Sequence, residues 1–388
     1  MCDSGSHLNA EHVLTDPAAS PLFELAAFDL PKNVTHVCAG GETPPLLRHA
    51  ASFASYLKDK ADGMPGRVAQ NLVVERVRDR IGEMWRVAPG DVGFVSNVAE
   101  GVSMLCESIT WQEGDNVCFD GNEYPSIVVP FALAAAGVPE IRFAEGGDPN
   151  RILEKVDART RVIAVSYVSY LNGERFDLTK LRVKANEVGA ILAVDYTQAA
   201  GYLPIDASIA DFAFSACYKW LLGITGCAVA YWNRCRQPNW RPSTGGWHSL
   251  ASGSRPNYSE GLMLRTDAMR FSRGNPSHAS LYVLDGALDF LAGYEIEAVQ
   301  SHVQALTGDL HDRLSVVGIH PSTPRDPERH GASICIDGNF GQRVVDELHR
   351  RGVYIWGGRG RLRISFHGFN QRSELDTIMS ELLHELKR

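Results

Sequence analysis

Between Asp91 and Trp232 the chain alternates short, continuous apolar runs with longer helix-like stretches, and this pattern constrains the fold more than any other feature. The runs are GFVS (93–96), NVCFD (116–120), RVIAVSYV (161–168), AILAVD (190–195), DFAFS (211–215) and CAVAYW (227–232). A half-buried strand alternates apolar and polar residues, whereas an unbroken Val/Ile/Ala run marks a strand covered on both faces. Helical patterns separate the runs, as at Leu178–Val188 and in the stretch ending near Gly137. Strands alternating with helices build a mainly parallel sheet with helices on both sides, so the predicted class is α/β. Ligands in such sheets bind at the carboxyl ends of the strands, and candidate chemistry is therefore sought just after each run.

The segment 234–275 breaks the pattern; rich in Ser, Gly, Arg, Asn and Trp, it reads as a long excursion with a functional or interface role. From Ser277 a helical pattern runs to about Leu314, followed by SICIDG (333–338), a helix over Gln342–Arg351, VYIW, RLRISF and a last helix over Ser373–Lys387. That is an α+β unit. The expected organisation is a large domain over 45–270, a smaller domain over 271–388 joined by part of 20–44, and a flexible tail over 1–20. A length of 388 residues accommodates two to three domains. Lys plus Arg number 38 against 46 Asp plus Glu, a balance of -8 that argues against nucleic-acid and anionic-membrane partners. The uncharged stretch Ser126–Pro139 is 14 residues and contains prolines, short of the roughly 20 apolar residues a span needs, so no transmembrane helix is expected. The opening MCDSGSHLNAEHVLTD has neither the basic nor the apolar region of a secretory signal. Eight cysteines form no CxxC pair and the 13 histidines no HExxH pattern, which points to buried thiols in a reducing cytoplasm and to no metal site.

Three places carry candidate chemistry. Lys219, in SACYKWLLGITG, follows a buried run and sits among aromatic and apolar neighbours. Loss of hydration penalises its ammonium and makes a neutral, nucleophilic amine available; a lysine whose amine reaches the surface is the alternative. Asp195 ends AILAVD, with Gln198 three residues on. A carboxylate there faces the crevice and requires a cation or donor, unless it caps the next helix. The stretch Asn97-Val98-Ala99-Glu100-Gly101 begins a helix with small residues whose backbone N–H groups suit a phosphate. No GxxxxGK[ST] and no GxGxxG follows a strand, which removes support from nucleotide and dinucleotide readings.

A helix-start phosphate site, a strand-end Asp and a strand-end Lys occur here in that order. With them, the segment VDYTQAAGYLPID…DFAFSACYKWLLGITGCAVAYW (194–232) resembles the class V aminotransferase group of pyridoxal-phosphate enzymes. That group includes cysteine desulfurases, isopenicillin-N epimerase-like proteins and kynureninases. The resemblance runs from about Val87 to the C-terminus, more weakly over 34–86. It implies the type I fold of pyridoxal-phosphate transferases, a large cofactor domain beside a smaller α+β domain. It implies that Lys219 bonds the cofactor, Asp195 keeps the pyridine nitrogen protonated, and Gln198 donates to the phenolic oxygen. Val98, Ala99 and Tyr218 become phosphate binders, Tyr124 the ring that stacks on the pyridine, and Arg363 the clamp on the substrate carboxylate. Trp247 and Asn275 match segments that reach the cofactor from a partner subunit, so a homodimer is implied. HVCAGGETPP (36–45) is expected at the substrate mouth.

Two departures narrow the activity. GVYIWGGRGRLR has no cysteine where desulfurases carry one, and Gln198 stands where kynureninases have His. The implied activity is an aminotransferase, with a C–S β-lyase and an epimerase as alternatives and a non-catalytic protein as the alternative of another class. Arg359, Arg361 and Arg363 are spaced by two, and in an extended chain all three share a face, where one of the first two would read a second anionic group. His248 and His278 are near enough in sequence to these segments to reach the site or simply to pack.

Overall fold

The protein is described here by a computed structural model covering residues 18–134, 139–145, 150–251, 257–259, 261–338 and 340–386. The expected tail over 1–20 falls mostly outside these residues; Ala18 is buried and its carbonyl accepts from the Arg372 N–H at 2.9 Å.

The chain lays down a short strand β1 (Thr35–His36), then the long helices α1 (Arg48–Ala61) and α2 (Met64–Met84). Next come β2 (Val92–Val95), α3 (Val98–Glu107), β3 (Asn116–Asp120), α4 (Pro125–Ala132), β4 (Glu140–Ala144), α5 (Asn150–Lys155), β5 (Thr160–Ser166) and α6 (Leu178–Val188). The series ends with β6 (Ile191–Asp195), β7 (Phe212–Ala216) and β8 (Ala228–Trp232). Strands β2 to β8 form one seven-stranded sheet, in the order β2-β8-β7-β6-β5-β3-β4. It is parallel except for β8, which runs against both β2 and β7. All six predicted strands are present, within a residue or two of the expected bounds. The sequence reading missed β4. In EIRFA only Ala144 is buried, because β4 is an edge strand with one face to solvent.

Alternate residues of the central strands feed two separate cores, as a sheet covered on both faces requires. Ile163, Val165, Leu192, Val194 and Ala213 pack on one side; Val162, Ala164, Ala193, Phe212 and Phe214 pack on the other. The predicted helix Leu178–Val188 is bounded by its own chemistry. The Asp177 carboxylate accepts from the Thr179 and Lys180 N–H groups, and Gly189 closes the helix at φ 74°.

The single helical pattern expected from Ser277 is two helices, α7 (His278–Leu291) and α8 (Ile296–Val316). The chain turns between them at Ala292–Glu295, where Gly293 sits. α7 packs on α1 and α2, and its apolar side chains join the first core. A third core lies beneath β9 (Ser333–Asp337), α9 (Gln342–Arg350), β10 (Val353–Tyr354), β11 (Trp356–Gly358), β12 (Arg361–Ser365) and α10 (Glu374–Leu386). There β11, β12 and β9 form an antiparallel sheet, and β1 pairs in parallel with β10. Through that pairing residues after β1 run from the small sheet to the ends of β6 and β7. The segment 234–275 contains no strand among its described residues, only short 3₁₀ turns.

Candidate active site

Asp195 is the last residue of β6, the middle strand of the large sheet, and Lys219 lies three residues past β7. Parallel pairing of these neighbours brings their carboxyl ends together. A cavity of about 380 Å³ opens beside them, lined by Cys38, Gly40, Gly41, Glu42, Trp356, Arg359 and Arg363 and shared with Lys219, Tyr124, Tyr170, Gln198 and Tyr218. Behind it a smaller chamber of about 80 Å³ is bounded by Asn97, Val98, Ser166, Asp195 and Thr197. Two depressions of about 970 and 1060 Å³ lie elsewhere, but neither gathers Lys219, Asp195 or Arg363, so chemistry and not size marks the site.

The amine of Lys219 is 7% exposed and is pushed down to about 8, by burial first and by the charge of Arg363 second, against the pull of Asp195 and Glu42. Its Nζ lies 5.7 Å from the centre of the Tyr124 ring and 5.5 Å from that of Tyr218. The loop around it is held from three directions. Thr43 Oγ1 donates to the Lys219 carbonyl at 3.1 Å, and Leu222 N–H donates to the same carbonyl at 2.9 Å. Leu222 takes the left-handed conformation, φ 57°, to do so. Gly201 passes so close that a Cβ there would lie 2.1 Å from the Trp220 carbonyl oxygen.

Asp195 is buried, and burial raises its carboxyl, opposed by hydrogen bonds from Thr197 and by the charge of Lys219. The Thr197 N–H donates to its Oδ1 at 2.8 Å. Gln198 donates from Nε2 to the Gly40 carbonyl at 2.9 Å and accepts from Trp220 Nε1 at 3.0 Å, which leaves one amide hydrogen for the cavity. At the start of α3 the Asn97 side chain accepts from the Glu100 N–H at 2.9 Å, while Glu100 accepts from the Ser96 N–H at 2.7 Å. This reciprocal cap leaves the N–H groups of Val98 and Ala99 without intrahelical acceptors, as helix geometry dictates for a first turn.

Arg363 is buried in β12. Its Nη1 donates to the Tyr170 carbonyl at 2.7 Å, its guanidinium lies 4.6 Å from the Trp356 ring centre, and its Nε has no protein partner. Arg361 and Arg363 are two apart on the extended strand β12 and bond the neighbouring carbonyls of Leu171 and Tyr170, as the shared-face expectation requires. The chain turns between Gly358 and Gly360, with Arg359 at φ 53°, so that expectation does not hold for Arg359. Arg359 stacks on Tyr170, 5.3 Å from the ring centre, and donates to its hydroxyl. Arg361 lies outside the cavity, bonded to the Leu171 carbonyl at 2.6 Å and 3.6 Å from Asp337.

Of the other expected residues, Val98, Tyr124 and Tyr218 border the same space as Lys219. Ala99 lines a different depression, with Trp111 and Arg273. Trp247 is 65% exposed and His248 packs edge-on against it, while Asn275 lies in a separate recess beside Arg273. His278 is buried near Arg67. The expected mouth segment does reach the cavity, through Cys38, Gly40, Gly41 and Glu42.

Sequence reading missed Tyr170, Trp356 and Glu123. Glu123 accepts from Ser166 N–H at 2.7 Å, from Tyr124 N–H at 2.6 Å and from the Ser166 hydroxyl, tying the Tyr124 loop to the end of β5. Burial pushes its carboxyl up to about 7 against those bonds. Its position beside Tyr124 was the only available signal.

A buried amine of lowered pKa, a buried carboxylate one strand away, a helix-start amide at Val98 and a buried guanidinium whose Nε has no partner among the described residues fit the donor set of a pyridoxal-phosphate enzyme of the type I fold. The sequence model of the aminotransferase class-V family matches residues 64–378, and the chain belongs to that family. It is a pyridoxal-phosphate enzyme acting on an amino acid. It is 25% identical to a probable cysteine desulfurase of Methanothermobacter thermautotrophicus over 92% of this chain and 96% of that one. Its fold matches the apo cysteine desulfurase of Thermococcus onnurineus NA1 with a TM-score of 0.83 at 20% identity, covering 93% and 96% of the two chains. A cystine C–S lyase, solved with its product cysteine persulfide, matches with a TM-score of 0.81 at 19% identity, over 90% and 97%. No helix among the described residues is long and apolar enough to cross a membrane.

Proposed function

We propose that the chain is an aminotransferase, taking an α-amino acid at the cavity between Lys219 and Arg363. The observation that carries this reading is the wall of that cavity. It offers a lysine amine and two guanidiniums, and no sulfur nucleophile on the β11–β12 turn, where Arg359 stands. Cys38 also lines the cavity, but burial pushes its thiol up and away from the reactive thiolate.

When bound, pyridoxal phosphate supplies an electrophilic aldehyde and an electron sink for the carbanion left after α-proton removal. Lys219 would hold the aldehyde carbon and, once displaced, take the α-proton; its lowered pKa keeps the amine competent for both. Asp195 would pair with the pyridine nitrogen and keep it protonated. The Val98 and Ala99 N–H groups and the Tyr218 hydroxyl would take the phosphate. Gln198 has its spare amide hydrogen for the phenolic oxygen, and Tyr124 would lie against the ring. Arg363 would bind the substrate carboxylate bidentately, using the Nε that no protein group satisfies. In this reading Trp247 and Asn275 complete the site of a second subunit in a homodimer, the protein works in the cytoplasm, and the chain divides into a large domain (45–270) and a small one (271–388, joined by part of 20–44).

The names of the relatives favour a second reading, C–S β-elimination. The two separate on products. Purified enzyme is incubated with an amino-acid panel, with and without an α-keto acid acceptor. Keto acid formed only when acceptor is present supports transamination. Pyruvate and ammonia released from cysteine or cystine without acceptor overturn it in favour of the lyase.

A further inference from the structure

We propose that Arg359 is a specificity residue and that the preferred substrate is an α-amino acid whose side chain ends in a second carboxylate; this rests on the amino-acid reading of the site given above. The cavity wall carries the cations Lys219, Arg359 and Arg363 against one carboxylate, Glu42. Among the described residues neither Arg359 nor Arg363 forms an ion pair with a carboxylate, whereas Arg361 between them has Asp337 nearby. Arg363 is buried and Arg359 is exposed at the mouth, and three cations against the single carboxylate Glu42 give this cavity a positive balance that suits an anionic ligand.

Both guanidiniums border one cavity and both are held by Tyr170, Arg363 through the carbonyl and Arg359 through the hydroxyl, so one small molecule in that cavity can meet each with a separate anionic group. With the α-carboxylate on Arg363 and the α-amine at Lys219, Arg359 would be the remaining cation of the cavity wall for the side chain. The turn itself supports a role. Arg359 holds φ 53° between Gly358 and Gly360, a conformation in which a residue with a Cβ is disfavoured and glycine is not. The chain keeps an arginine there, with its guanidinium held on an aromatic face at the cavity mouth.

The test uses holoenzyme and follows the near-visible cofactor band in single-turnover reactions with aspartate, glutamate and 2-aminoadipate against alanine and cysteine. The expected result is a kcat/KM for the best dicarboxylate at least roughly tenfold above alanine. Arg359→Gln should cut that ratio by roughly tenfold to a hundredfold, the range for one hydrogen bond to a charged group, and mainly through KM. Arg359→Lys, which keeps the charge and loses the fork, should restore part of it. Equal turnover of neutral and dicarboxylic substrates, or an unchanged ratio in Arg359→Gln, overturns the proposal while leaving the amino-acid reading in place. A protein that forms no near-visible band with added pyridoxal phosphate overturns both.

Discussion

The lowered pKa of Lys219 predicts a labelling curve that no exposed lysine can give. In cofactor-free protein the neutral amine is the form that reacts with an anhydride or aldehyde. Burial and the neighbouring Arg363 push this amine down to about 8. About 9% of it is then neutral at pH 7 and about 90% at pH 9, after which reactivity levels off. An ordinary lysine near 10.4 is only about 4% neutral at pH 9 and keeps gaining reactivity beyond pH 10. The assay is trace acetylation of cofactor-free protein across this range, with the Lys219 peptide quantified by mass spectrometry against an added short peptide carrying one lysine. The two curves should separate by about two pH units at their midpoints. Asp195→Asn should move the Lys219 midpoint further down, because the Asp195 charge is the largest attraction holding it up. Superimposed curves for Lys219 and the reference peptide would refute the burial argument.

The same burial has a stability cost. The folded amine titrates below the unfolded one, so the unfolded chain binds more protons between about pH 8 and pH 10.4, and stability rises with pH across that window. At pH 7 the buried ammonium costs on the order of 3 kcal/mol. Lys219→Met should therefore raise the urea midpoint of cofactor-free protein at pH 7 and flatten its pH slope above 8. Gly201→Ala should destabilise by about 3 kcal/mol or more and weaken cofactor binding, because φ 113° disfavours a side chain and the new Cβ would meet the Trp220 carbonyl at 2.1 Å; thermal melts and cofactor titration check both. Glu123→Gln should cost about 1–3 kcal/mol in denaturant unfolding, since either orientation of the amide turns an N–H toward the N–H of Ser166 or of Tyr124.

How much of this was legible in the chain depended on how local the cause was. β3 and α6 fall on their predicted residues because their signals are self-contained: an unbroken buried run, and a helix with its Asp177 cap and Gly189 stop. Strand β4 escaped because a solvent-facing edge strand such as EIRFA has no unbroken apolar run to detect. The break between α7 and α8 was hidden for a related reason: both helices continue one apolar periodicity across Gly293. The arginine trio failed differently. Spacing by two implies a shared face only while the chain stays extended; that holds for Arg361 and Arg363 on β12, and the turn at Arg359 takes the first arginine out of the strand. Lys219 and Asp195 stood out because the ends of parallel strands are neighbours in any such sheet. Tyr170 and Trp356 gave no signal, because what makes them part of the site is contact with arginines up to 193 residues away.

The charges of the site also bear on which form of the protein is the stable one. Burial drives Lys219 and Asp195 toward their neutral forms, and each is held back in part by the other. Among the described residues Arg363 has no carboxylate partner: it is buried against the Tyr170 carbonyl and the Trp356 face, and its own Nε lacks an acceptor. Groups that cost stability when left alone gain it when a ligand brings complementary charge. A pyridine nitrogen for Asp195, a carbonyl carbon for Lys219 and a carboxylate for Arg363 would each relieve one of these costs. Cofactor saturating the site at about a hundred times its Kd should then raise unfolding stability by about 2.7 kcal/mol. A carboxylate ligand that is not turned over should add a further increment, and Arg363→Met should abolish that increment while leaving the cofactor's own contribution intact. If the second increment survives in Arg363→Met, the orphaned guanidinium is not the group that the substrate carboxylate satisfies.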